Sequence, residues 1–188
     1  MVVQEREAEN SFSRYIAEIR AAWGDGKDSS LPFTVAGLME RLFASTRPDD
    51  PWMAELIREA KPSRELYRDP EFGFIQMGHV HKQGHGNKPH DHGPCWVVYG
   101  SFSGVTEITK YKRIDDGSEP GIARLEKERL DRLTPGVVVP YLPGDIHSTH
   151  ESRHCRSRAG DAAPRCSRPA RRLQSGLPPQ RSRLTRCV

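Results

Sequence analysis

From Glu65 to about residue 150 the chain is cut into short β-prone runs separated by Gly, Pro and Asp, and this punctuation restricts the fold more than any other feature. The runs lie at 73–81 (GFIQMGHVH), 95–100 (CWVVYG), 104–113, 122–132, 137–142 and 145–149. Asp115-Asp116-Gly117 and Pro135-Gly136 are turn signals between them, because Gly takes backbone angles closed to other residues and Pro presets φ. Several short strands at this spacing predict a sandwich or a barrel.

The segment before them has a different period. In Asn10–Trp23 the apolar residues Phe12, Tyr15, Ile16, Ile19 and Trp23 fall on one face of a helix. Asn10 or Ser11 is a candidate cap, and Gly24-Asp25-Gly26 ends the pattern. A loop then runs to Pro32, and Thr34 is a candidate cap for a second helix carrying Leu38, Leu42 and Phe43. Pro51 is placed to open a third helix, where its missing N–H costs nothing. The predicted organisation is an N-terminal helical cap over 1–64, a β-barrel over 65–151 and an irregular tail over 152–188.

Composition matters mainly for that tail. Residues 152–188 hold ten Arg, no Lys and one acid, Asp161, whereas the rest of the chain holds 19 basic and 24 acidic residues. The pI near 9.0 therefore belongs to the tail. It lacks aromatics and is rich in Pro, Ser and Ala, a composition unable to bury enough apolar surface to order itself. An out-of-frame stretch of a GC-rich gene has this texture; a disordered linker and a basic arm for nucleic acid are the other readings. If the frame is shifted, the barrel lacks its last strands, and this chain is expected to be poorly stable and inactive.

No apolar run is long enough for a membrane span, and the first ten residues show no secretory signal, so the expected compartment is the cytoplasm. The four cysteines, at 95, 155, 166 and 187, follow neither a zinc pattern nor a compact disulfide framework. Cys95 is expected to be a buried strand residue.

The chemistry is concentrated in Gly84-His85-Gly86-Asn87-Lys88-Pro89-His90-Asp91-His92-Gly93. On an extended backbone His90 and His92 share a face, so their imidazoles form one wall of a metal site. Leu142-Pro143-Gly144-Asp145-Ile146-His147 offers a third imidazole at a tight corner. His79 and His81 form a rival i, i+2 pair, His85 has a loop or supporting role, and His150 faces away. Asp91 is expected to tie down a turn.

These motifs resemble those of the cupin superfamily. Gly84, five residues and then His90-x-His92 match its first motif. Gly144 and His147 match the end of its second, with Leu142 where Pro is usual. The resemblance implies a mainly β double-stranded β-helix with the metal inside. Many cupins add a Glu ligand soon after the second His, and residues 93–97 contain none. In that respect, and in Gly-His-Gly-x-x-x-His-Asp-His over 84–92, the chain resembles the thiol dioxygenases, cysteine dioxygenase and its bacterial relatives.

The family resemblance covers roughly residues 65–150 and implies an Fe(II) enzyme. It would use O2 to oxidise a small carboxylate-bearing thiol to a sulfinate, with His90, His92 and His147 as ligands and Arg68 as carboxylate anchor. It assigns no further catalytic residue. Imidazole also suits other first-row metals. The position five past the second His, a cross-linked Cys in animal enzymes, is Val97. The family's Ser-His-Tyr relay has no counterpart, and Glu151 stands where Asn is frequent. A non-catalytic metal- or ligand-binding cupin, or another cupin oxygenase or isomerase, fits the same three histidines. No membrane partner is expected, nucleic acid is disfavoured, and the oligomeric state is open.

Overall fold

The structure, a computed structural model, describes residues 10–119 and 121–152, and the backbone of 170–176. Three helices come first: α1 (Ser11–Ala22), α2 (Leu31–Ser45) and α3 (Pro51–Glu59). Asn10 caps α1 in a capping box, its side chain accepting from Ser13 N–H at 2.8 Å while Ser13 Oγ accepts from Asn10 N–H at 3.0 Å. The second helix starts earlier than the predicted Thr34 cap, with Ser30 at the N-cap position. Pro32 belongs to its first turn, where a residue without an N–H interrupts no helical bond.

Seven strands follow within 64–151: β1 (Arg64–Arg68), β2 (Ile75–His81), β3 (Val97–Ser103), β4 (Thr106–Arg113), β5 (Leu125–Leu133), β6 (Val138–Tyr141) and β7 (Ile146–Glu151). The predicted strands are present, and β1 is an addition. Its hairpin to β2 is nucleated by Asp69, whose Oδ1 accepts from the N–H groups of Glu71 at 2.9 Å and Phe72 at 2.7 Å. The Arg20 guanidinium on α1 pairs with the same carboxylate, tying the helical layer to the hairpin.

An eighth strand lies within the stretch read as an irregular tail. Residues Ala170–Gly176 form β8 between β2 and β3, antiparallel to both. Its local sequence carries little β signal. Without it β2 and β3 would each present a row of unpaired backbone groups, and tertiary demand of this kind overrides propensity. The expectation for 153–169 and 177–188 lies outside the described residues.

The strands form two antiparallel sheets, ordered β1-β2-β8-β3-β6 and β5-β4-β7. Strand β3 and the residue before it divide the interior into two cores by simple alternation. Trp96 and Val98 join the helical core of Tyr15, Ile19, Val35, Met39 and Met53. Gly100 continues that face, where a Cβ would lie 2.5 Å from Phe43 Cε2 and 2.8 Å from Met39 Sδ. Val97 and Tyr99 face the other way and pack with Ile108, Leu133 and Tyr141 between the sheets.

Candidate metal centre

The segment 84–90 follows β7 as an irregular extra strand. Gly84 N–H donates to Glu151 C=O at 3.0 Å, Glu151 N–H to His85 C=O at 2.8 Å, and Asn87 N–H to Thr149 C=O at 3.1 Å. The Asn87 side chain takes up Thr149 N–H at 2.6 Å. His90 and His147 then exchange both backbone bonds. In an antiparallel pair such directly opposed residues project to the same side. His90 and His92 lie between β2 and β3, outside both strands. Pro89 and Pro94 supply no backbone donors, so pairing shrinks to one bridge at His90.

The three predicted histidines come together. A ligand nitrogen from each of His90, His92 and His147 lies within 4.8 Å of the others. Ring centroids are 4.8 Å apart for His90–His147, 5.2 Å for His92–His147 and 5.2 Å for His90–His92. His147 is fully buried, and the other two rings are half-buried. Two tautomers are set by main-chain acceptors. Nδ1 of His90 lies 3.0 Å from Lys88 C=O, and Nδ1 of His147 lies 3.1 Å from Asp145 C=O. A carbonyl only accepts, so each Nδ1 carries the proton and each Nε2 keeps its lone pair for the centre. Neutral imidazole nitrogens held in this way fit a first-row divalent metal.

Turns fix the approach to the site. Asp91 Oδ1 accepts Gly93 N–H at 2.7 Å, as expected of a turn residue. At the facing corner Asp145 Oδ2 accepts Leu142 N–H at 2.8 Å, and Lys110 pairs with Asp145 Oδ1 at 2.9 Å. Gly144 N–H reaches Gly93 C=O at 3.1 Å and joins the two corners.

Two tyrosines, which the sequence reading did not single out, complete the surroundings. Tyr99 Oη lies 3.0 Å from His92 Nε2 and 3.1 Å from His147 Nε2. The Tyr141 ring packs 4.7 Å from that of His147, and its hydroxyl donates to Asp131 Oδ2 at 2.6 Å. Burial pushes the Tyr141 phenol far above its usual range and the hydrogen bond to Asp131 adds to this, so it stays protonated. The signal for Tyr99 was its parity with Val97 on an inward-facing strand.

Arg68 stands apart from this group. It lies on the edge strand β1, with its guanidinium on Glu65 through Nε at 3.1 Å and Nη2 at 2.5 Å and its side chain half exposed. The rival pair His79 and His81 stacks with His85, at 5.4 and 4.2 Å between successive centroids. Among the described residues these three do not form a metal-ligand group. Parallel stacking points their lone pairs in the ring planes, side by side, without a shared focus. Cys95 is buried just before β3.

No family model and no curated protein sequence matches the chain. Solved structures do resemble it. A protein from Bacillus halodurans is 12% identical with a TM-score of 0.47, over 73% of this chain and 88% of its own. A cupin superfamily protein from Desulfitobacterium hafniense is 14% identical with a TM-score of 0.38, over 61% and 74%. A cupin 2 conserved barrel domain protein from Salinispora arenicola is 14% identical with a TM-score of 0.40, over 62% and 75%. Among the described residues no helix is long and apolar enough to cross a membrane. The fold of this chain is mainly β, built of antiparallel sheets with a few helices, and inside it three imidazoles form a candidate metal centre.

Proposed function

We propose that His90, His92 and His147 hold one iron(II) ion and that the chain oxidises a small carboxylate-bearing thiol with O2 to the sulfinic acid. The convergence of three imidazoles with two Nε2 lone pairs already aimed inward is the observation that carries this reading. Three neutral ligands leave the ion its positive charge and leave other coordination positions for exogenous ligands. Iron, when bound, would supply adjacent positions for a thiol sulfur and dioxygen. Both oxygen atoms of O2 end on sulfur, RSH + O2 giving RSO2H, so no further reductant is needed.

The chain's own residues supply binding and exclusion. The corner at Gly93 and Gly144 joins the two histidine-bearing segments, and the buried cluster of Val97, Ile108, Leu133 and Tyr141 packs with Tyr99. Arg68 is the proposed carboxylate anchor. Its bidentate grip on Glu65 is the geometry that a substrate carboxylate needs, and substrate would displace Glu65 from that fork.

The test is oxygen uptake by the iron-loaded protein with a panel of small thiols, with and without a carboxylate. Thiol-dependent uptake with sulfinate as product supports the reading. Stoichiometric iron without thiol-dependent uptake would leave a metal-binding protein of another kind. Arg68→Ala is expected to raise KM for the carboxylate thiols at least tenfold and to leave iron content unchanged.

A further inference from the structure

We propose that Tyr99 is a fourth protein ligand, its phenol oxygen joining the three imidazoles on the metal; this rests on the three-histidine reading above. Two donors bound at right angles to one ion, each about 2.1 Å from it, lie about 3 Å apart. Tyr99 Oη sits 3.0 Å from Nε2 of His92 and 3.1 Å from Nε2 of His147, the spacing of neighbouring positions around one ion.

Without a metal the same contacts would serve as hydrogen bonds. The Nδ1 proton of His147 is committed to Asp145 C=O, so its Nε2 accepts the Tyr99 hydroxyl proton. A phenol has one proton, so toward His92 the oxygen accepts, and His92 Nε2 carries the hydrogen. The phenol thus takes up polar atoms that would otherwise converge on each other. On metal binding the Tyr99 proton would leave to solvent and the His92 proton would move from Nε2 to Nδ1, so that the imidazole stays neutral.

The oxygen is held by its ring. Tyr99 is 2% exposed and lies on β3 with Tyr141 and His147 packed edge-on at 5.8 and 5.3 Å. The opposite face of β3 is fixed by the close approach of α2 at Gly100. Moving the hydroxyl away from the imidazoles would mean moving the strand. Tyr141, the neighbouring phenol, is committed to Asp131. Four protein ligands leave an octahedral ion two positions, enough for one thiol sulfur and one O2, so the substrate class is thiols that bind through sulfur alone.

The test loads the full chain with ferrous iron, oxidises it with ferricyanide and records visible absorption and resonance Raman spectra. A phenolate bound to ferric iron gives an intense visible charge-transfer band with phenolate ring modes in resonance; its proton passes to solvent on binding. The band is expected in the wild type and in Tyr141→Phe and absent from Tyr99→Phe, which also loses about tenfold in ferrous affinity. Wild type that holds one iron without the band overturns Tyr99 ligation and leaves the histidine centre standing. A band that survives in Tyr99→Phe, or disappears in Tyr141→Phe, overturns it equally. Failure of the wild type to bind iron overturns both readings. If Tyr99→Phe does not fold, the wild-type and Tyr141→Phe spectra decide.

Discussion

His90 and His147 exchange both of their main-chain hydrogen bonds, His90 N–H to His147 C=O at 3.0 Å and His147 N–H to His90 C=O at 2.8 Å. Two residues 57 positions apart in the chain thus hold their rings side by side through backbone alone, before any metal contributes.

Replacing His147 or His90 by Ala is expected to abolish stoichiometric metal binding, measured as metal content after loading and desalting. The two variants should differ in stability. His147 is fully buried and accepts from Tyr99, so its loss leaves a cavity and a buried hydroxyl without that partner, at a cost of about 2 kcal/mol in urea denaturation. His90, at the half-exposed rim, should cost less than about 1 kcal/mol.

Asp69 gives a pH dependence that does not involve the metal centre. Burial alone would raise its pKa. The bonds it accepts from Phe72 N–H, Arg20, Glu71 N–H and Tyr67 outweigh this and hold the carboxyl below its ordinary value. A depressed folded pKa contributes stability above the unfolded value, about 3.9, and that contribution is lost as pH falls through the folded value. Chemical denaturation between pH 7 and 2.5 should therefore show the wild type losing stability below about pH 4 more steeply than Asp69→Asn. The variant should be the less stable of the two at pH 7.

Gly100→Ala tests the seam between the sheet and the helices. The added methyl would meet Phe43 at 2.5 Å, and overpacking of this kind costs about 1–3 kcal/mol. Thermal denaturation should show a clear fall in Tm. Metal content at room temperature should be retained, because the methyl enters the helical face of β3 and not the face of Tyr99.

Deletion of residues 153–188 removes β8 and leaves β2 and β3 without their shared partner. The truncated chain is expected to lose cooperativity in thermal denaturation and to associate through the two open edges, visible by light scattering. A truncated chain with unchanged Tm and no association would contradict the placement of β8.

The parts that could be read from the sequence were those set by local rules. The helical period over 10–23, the Asn10 cap and Pro51 at a helix start depend on neighbouring residues only. The same holds for His90-x-His92 and the Pro-Gly corner before His147. What could not be read depends on distant partners. Strand β1 is defined by its pairing with β2 and by the Arg20–Asp69 contact, β8 by the gap it fills, and Tyr99 by an imidazole supplied 48 residues later. Arg68 was picked from the resemblance, and a side chain's reach from an edge strand is a tertiary property.

The strand order β2-β8-β3 also carries a temporal meaning. During synthesis β2 and β3 leave the ribosome well before β8 exists, and they do not pair with each other. The nascent sheet is therefore expected to stay as two separate halves until β8 emerges, with Tyr99 on one of them. Final closure needs a join between segments far apart in sequence, the slow kind of folding step. A chaperone that shields those halves is expected to matter most for yield in the last seconds of translation.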